Sequence, residues 1–127
     1  MSQLDVYLDS KLIEFTYDDF TKAYVISVFK QMVDVERDIG DVSIVQMYFN
    51  AVAKLNFNEL QHVGDWSLWL GTFMPEAYEK HATVYDNVAA SAYDRCYVML
   101  KRSWEPFKVL SRDFRGVMNL TRTLMCH

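Results

Sequence analysis

The stretch YDNVAASAYDRCYVML, residues 85–100, decides the fold class. Tyr85, Val88, Ala89, Ala92, Tyr93, Cys96 and Leu100 follow a helical period, with partners three or four residues apart. A helix turns once in about 3.6 residues, so side chains spaced this way share one face. A half-buried strand would need strict alternation, which the stretch lacks.

The same period extends in both directions. Upstream, Asn56 and Glu59 fit a helix-start capping pattern, and Leu60, Val63, Leu68 and Leu70 follow, with Trp66 and Trp69. Gly64, Ser67 and Gly71 form a stripe on that helix, and two glycines on one face predict close packing of another backbone. Val45, Tyr48, Phe49, Val52 and Leu55 mark a helix before it, capped by Asp41 or Ser43 after a stop at Gly40. A long segment runs from about Asp18 to before Gly40, apolar nearly all round, with Phe20 and Ala23 on one face. Its β-forming centre, residues 24–29, admits a short strand, but no other segment offers that strand a partner, so the helix is preferred. The first helix spans Ser2 to about Phe15, with Ser2 and Asp5 at its start. Pro75 opens a short helix just before the stretch, and downstream of it Glu105 and Pro106 open the last one. That last helix carries Phe107, Leu110, Phe114, Val117, Met118 and Leu124 on one stripe and Lys108, Arg112, Arg115 and Arg122 on another.

The expectation is an all-α, single-domain helical bundle of about five or six helices over residues 1–127. Only 4 Gly and 2 Pro interrupt the chain, too few for the many turns of a β-sandwich. The 2 cysteines, Cys96 and Cys126, stand far apart outside any paired motif, which argues against a disulfide framework or a thiolate zinc site. The N-terminal stretch has Asp5 and Asp9 and no apolar signal region, and no run of residues reaches membrane-spanning length. The reading is a cytoplasmic protein with no membrane association. A net charge of −4 makes nucleic acid an unfavoured partner.

The residues 64–76, GDWSLWLGTFMPE, and 85–93, ending in Ser91-Ala92-Tyr93, resemble an uncharacterised family of small bacterial all-helical proteins. That family carries a Gly-Asp, an apolar helix with a glycine and a Phe, and a tyrosine-containing helix ending in Ala-Tyr. A C-terminal helix with apolar anchors follows, here Phe107, Phe114 and Val117. The resemblance covers the second half of the chain well and the first half only by helix pattern. Trp66 and Trp69 are bulkier than the usual pattern. It implies a helical fold and brings no reaction with it.

Chemistry-bearing residues are few. Glu59 and His62 are one turn apart, as in carboxylate-bridged metal bundles, but such a site needs a second Glu-x-x-His and there is none. His62 and Asp65, with Cys96 or Ser91 from a neighbouring helix, could build a nucleophile, base and orienter, but no spacing brings them together. Cys96 lies on an apolar stripe and reads as a small core residue. Asp65, in a largely apolar helix, needs partners, and Tyr85, Tyr93 or Arg95 could supply them. The favoured reading is a hydrogen-bonded tie between the fourth and fifth long helices. The functional alternative is a small-ligand or metal-binding pocket there, lined by His62, Asp65, Trp66, Trp69, Tyr85 and Tyr93. The stripe of Lys108, Arg112, Arg115 and Arg122 is a candidate anion site, set against a solvated face paired with Asp34, Glu36 and Asp38. No phosphate loop, zinc-protease or nucleophile-elbow motif occurs, and no cofactor is expected. The preferred function is a non-catalytic protein-interaction or regulatory module, with a homodimer as its default form. Its basis is the excess of large rings, Trp66, Trp69, Trp104 and 8 tyrosines, over what one small core hides.

Overall fold

The structure, a computed structural model, describes residues 3–35 and 43–125. Among these there are eight helices and no strand: α1 Gln3–Lys11, α2 Asp19–Val35, α3 Ile44–Lys54, α4 Phe57–Phe73, α5 Pro75–Glu79, α6 Ala82–Met99, α7 Glu105–Arg112 and α8 Phe114–Met125. The all-α expectation holds and the count of five or six does not. The expected starts at Ser2, the stop at Gly40, the cap at Asp41, and Cys126 lie outside the described residues.

The extra helix comes chiefly from a break in the expected last one. Asp113 leaves helical geometry at φ −139° and ψ 46°, and its carbonyl then accepts the Val117 N–H at 3.0 Å, the first turn of α8. Its carboxylate lies over Gly116, where an added Cβ would fall 2.4 Å from Oδ1. It also accepts the Tyr17 hydroxyl at 2.5 Å, tying the break to the chain before α2. The basic stripe is therefore divided, Lys108 and Arg112 on α7 and Arg115 and Arg122 on α8. At the other end, α1 stops at Lys11 rather than near Phe15. The turn after it still buries both Leu12 and Phe15, and the Phe15 N–H donates to the Leu12 carbonyl at 3.0 Å.

Other starts follow their local chemistry. The Asn56 side chain accepts the Glu59 N–H at 3.1 Å, opening α4. Asp18 does the same for α2, accepting the Thr21 N–H at 2.9 Å and its hydroxyl at 2.8 Å. Pro75 and Pro106 occupy first-turn positions of α5 and α7, where a missing N–H costs nothing.

Helix α4 is the central element, packed against α2, α3, α5, α6 and α8. Leu60, Val63, Leu68 and Leu70 of α4 meet Val25, Val28 and Phe29 of α2 and Ala89, Ala92 and Tyr93 of α6 in one core. The stripe of small residues on α4 does admit close neighbours, but they are side chains and not a backbone. A Cβ on Gly64 would lie 2.6 Å from the Tyr93 ring, and one on Gly71 2.0 Å from the Met118 sulfur. Residues 24–29 are helical, as preferred. However, α2 is not buried all round, because Phe20 and Ala23 face solvent.

Candidate functional site

Asp65 is buried at the centre of the bundle. Its Oδ1 accepts hydrogen bonds from the Tyr24 hydroxyl of α2 and the Tyr93 hydroxyl of α6, both at 2.6 Å. Gln61, one turn earlier on α4, donates to the Tyr24 oxygen at 2.9 Å. One carboxylate thus ties three helices. Burial pushes its pKa up to about 7, from the ordinary 3.8, against the two hydroxyls, which pull it down. Burial and the Asp65 charge hold both tyrosines far above their ordinary range. Among the described residues no cation contributes to the Asp65 balance. The expected tie is present through Tyr93. Its second strut is Tyr24, which spacing along α4 and α6 could not reveal, while Arg95 donates instead to the Tyr48 hydroxyl at 3.0 Å.

The rest of the expected ligand set is dispersed. Tyr85 stacks on Tyr78, with ring centroids 4.8 Å apart. Trp66 and Trp69 stack on each other at 5.3 Å, and Trp69 continues to Phe73 and on to Phe29 of α2. His62 lines a groove of about 460 Å³ between α3 and α4, with Met47, Asn50, Lys54, Asn58 and Glu59. Partial burial there lowers its pKa and favours the neutral ring. Of the residues proposed for a pocket between α4 and α6, Asp65 and Tyr93 share a hydrogen bond across the two helices, while Trp66 and Trp69 stack on each other within α4. Nor do the nucleophile candidates assemble. Cys96 is buried, its thiol is raised to about 12 by burial and by Asp65, and it donates to the Phe57 carbonyl at 3.8 Å. Ser91 lies on the outer surface of α6. Among the described residues no three His, Cys, Asp or Glu side chains converge as metal ligands.

The candidate anion residues have other engagements. Arg115 binds Asp86 at 2.9 Å and Glu79 at 3.2 Å, joining α8 to α5 and α6. Arg122 donates to the Gly71 carbonyl at 2.8 Å and reaches Glu79 at 3.7 Å. Lys108 lies 4.0 Å from Glu105, one turn away, and Arg112 is exposed. Glu79 and Asp86, not weighed as partners, neutralise the α8 arginines. The side chain of Asp34, and Glu36 and Asp38 entirely, lie outside what is described.

The feature that spacing missed is a groove of about 630 Å³ along α6, bordered by α3 and reaching α7. Tyr48, Val52 and Leu55 form one wall, and Ser91, Asp94 and Val98 line the α6 side. Leu55 stands at its edge in left-handed geometry, φ 51°, 71% exposed. Its N–H donates to the Val52 carbonyl at 3.1 Å and the Asn56 N–H to Ala51 at 3.0 Å, the bonding of a helix stop usually served by glycine. The sequence held one signal, an apolar residue directly before the Asn56 cap, where a glycine would have been the ordinary choice.

Comparison of the chain with protein-family models, with curated proteins and with solved structures found no match. Among the described residues no helix is long and apolar enough to cross a membrane.

Proposed function

We propose that this chain is a non-catalytic protein-interaction module, and that the groove between α3 and α6 receives an amphipathic helix of a protein partner. The observation that carries the reading is Leu55. A leucine in left-handed geometry costs about 1 kcal/mol or more relative to glycine, and at 71% exposure this one recovers little of that by burial. Local strain of this kind belongs where the side chain is used outside the fold. Exposed Val98 and Met99 continue the apolar wall. Asp94 has no ion-pair partner among the described residues and supplies a carboxylate for a lysine or arginine on the incoming helix. The family resemblance brings no reaction to set against this. The small-ligand alternative has its residues divided among separate places, with Asp65 and Tyr93 bonded to each other.

The test is site-specific. A photoreactive side chain at Val98, with Thr123 as control, is placed in the protein inside its own cells, and the cross-linked partner is identified and purified. Leu55→Gly and Asp94→Lys should each weaken that partner's binding about tenfold, roughly the 1.4 kcal/mol of one useful contact. Leu55→Gly should at the same time raise the melting temperature. Unchanged affinity in both variants, or a partner captured equally at Thr123, would overturn the reading.

A further inference from the structure

Glu59 and His62, one turn apart on α4, line the second groove, the one between α3 and α4, whose volume is about 460 Å³. That is room for a small molecule. The walls come from successive helices joined by the turn at Leu55 and Asn56. Met47, Asn50 and Lys54 are spaced by three and four residues along α3 and share a face. Asn58, Glu59 and His62 line the α4 side. Among the described residues, Lys54 and Glu59 are the only charged groups on the groove, one on each wall.

The two walls differ in hydrogen-bonding character. On α3, the Lys54 ammonium can only donate. The Asn50 Oδ1 accepts from the Gln46 side chain at 3.0 Å, which leaves the Asn50 NH2 free to donate, one turn from Lys54. On α4, the Glu59 carboxylate can only accept. Burial lowers the pKa of half-buried His62, so at neutral pH its ring is uncharged and keeps one accepting nitrogen. Lys54 and Glu59 form no ion pair across the groove. The side chains of Lys54, Asn58, Glu59 and His62 have no hydrogen-bond partner among the described residues. A donor wall and an acceptor wall held apart leave a place for a molecule that carries both kinds of group.

We infer that this groove binds a small zwitterion of the α-amino-acid class, its carboxylate received by Lys54 and Asn50, its ammonium by Glu59 and His62, and its apolar side chain laid on Met47. Both ends of such a ligand form charge-assisted hydrogen bonds, the stronger kind. A metal ion suits the α4 wall alone and is repelled by the Lys54 ammonium. A simple anion suits the α3 wall alone and is repelled by Glu59. Only a ligand with both charges satisfies the two walls together. The site goes beyond the partner-helix reading. It shares no residue with the groove between α3 and α6, which takes Tyr48 and Val52 from α3, so either reading can fail without the other.

The test is an NMR titration of the full chain with L-norleucine, which carries both charges and an unbranched apolar side chain. Two relatives each lack one charge: hexanoate has no ammonium and norleucinamide no carboxylate. Amide signals of α3 and α4 around the groove should move with norleucine at millimolar concentration, and each relative should bind about tenfold more weakly. Glu59→Gln should abolish the preference for norleucine over hexanoate and keep that over norleucinamide. Lys54→Ala should do the reverse. Neither side chain is buried, and a general loss of folding would abolish both preferences together. No movement at millimolar norleucine, movement confined to other parts of the chain, equal binding of the three ligands, or preferences unchanged in the variants would each overturn the proposal. So would displacement of norleucine by micromolar Zn2+, which would make Glu59 and His62 a metal site.

Discussion

Asp65→Asn is the most informative single change inside the fold. Asparagine keeps one oxygen to receive the Tyr24 and Tyr93 hydroxyls, now at 2.6 Å each, and puts an NH2 that does not ionise in place of the other. The folded carboxyl titrates at about 7 against 3.8 when free. Its folded value is raised, so the stabilising contribution is fully present below the unfolded value and is lost as pH rises through the folded one. Between those values the unfolded chain has released the proton and the native chain retains it, and stability falls by up to about 1.4 kcal/mol per pH unit. Carried from pH 5 to pH 8, that amounts to about 3 kcal/mol. The wild type should therefore lose about 3 kcal/mol relative to the asparagine variant over this range. Urea unfolding at several pH values, followed by tryptophan fluorescence and helical circular dichroism, measures it. The difference between the two proteins cancels titrations they share, including that of His62. A difference that stays constant with pH would mean that the two hydroxyls offset burial completely. One that moves in the wild type's favour at high pH would mean that they outweigh it. Either result refutes the reasoning.

Two further substitutions test the packing. Gly64→Ala drives a methyl into the Tyr93 ring, which is fully buried and anchored through its hydroxyl, so it should cost about 1–3 kcal/mol. Gly71→Ala makes a nominally closer clash, but chiefly with the Met118 thioether, which can change rotamer, the Tyr78 ring lying at 3.2 Å, and alanine improves the helix; thermal unfolding should show it less costly than Gly64→Ala. The reverse order would show that Met118 is the more rigid neighbour. Asp113→Ala removes the acceptor of the Tyr17 hydroxyl and the carboxylate over the start of α8, with an expected loss of about 1–2 kcal/mol. Burial and, after it, Asp113 hold the Tyr17 phenol up at about 12, so the same change should lower it part of the way toward its ordinary value, seen in an ultraviolet pH titration.

What was legible in the sequence was what a single helix face encodes. The period of residues 85–100 gives α6, and Asn56 with Glu59 gives the start of α4, because both depend on neighbours within a turn or two. The Asp113 break was written in the sequence as well, an aspartate three residues before Gly116, but the apolar stripe runs through it unbroken and masks it. Tyr24 as a strut for Asp65 was not legible at all. The two residues are 41 positions apart, and only the packing of α2 on α4 brings them together. The arginines of α8 show the same limit. Asp34, Glu36 and Asp38 were the acidic neighbours expected for that face, whereas Arg115 pairs with Glu79 of α5 and Asp86 of α6, which no spacing along one helix names.

The departures from local preference divide by direction, and that division separates structure from surface. Asp65 points inward. Its desolvation is offset only in part by two hydroxyl donors, and what it adds is registry, since the bonds to Tyr24 and Tyr93 fix how α2, α4 and α6 sit together. A well-packed apolar residue could match its stability without that specificity. Leu55, Lys101 and Arg102 point outward, in backbone geometry that glycine would occupy at lower cost. Among the described residues no buried contact compensates them, and the two helix ends they close would be closed as well by glycine. On the reading proposed for the groove, what Leu55 recovers comes from a partner's helix seated there, whose apolar face would cover the leucine.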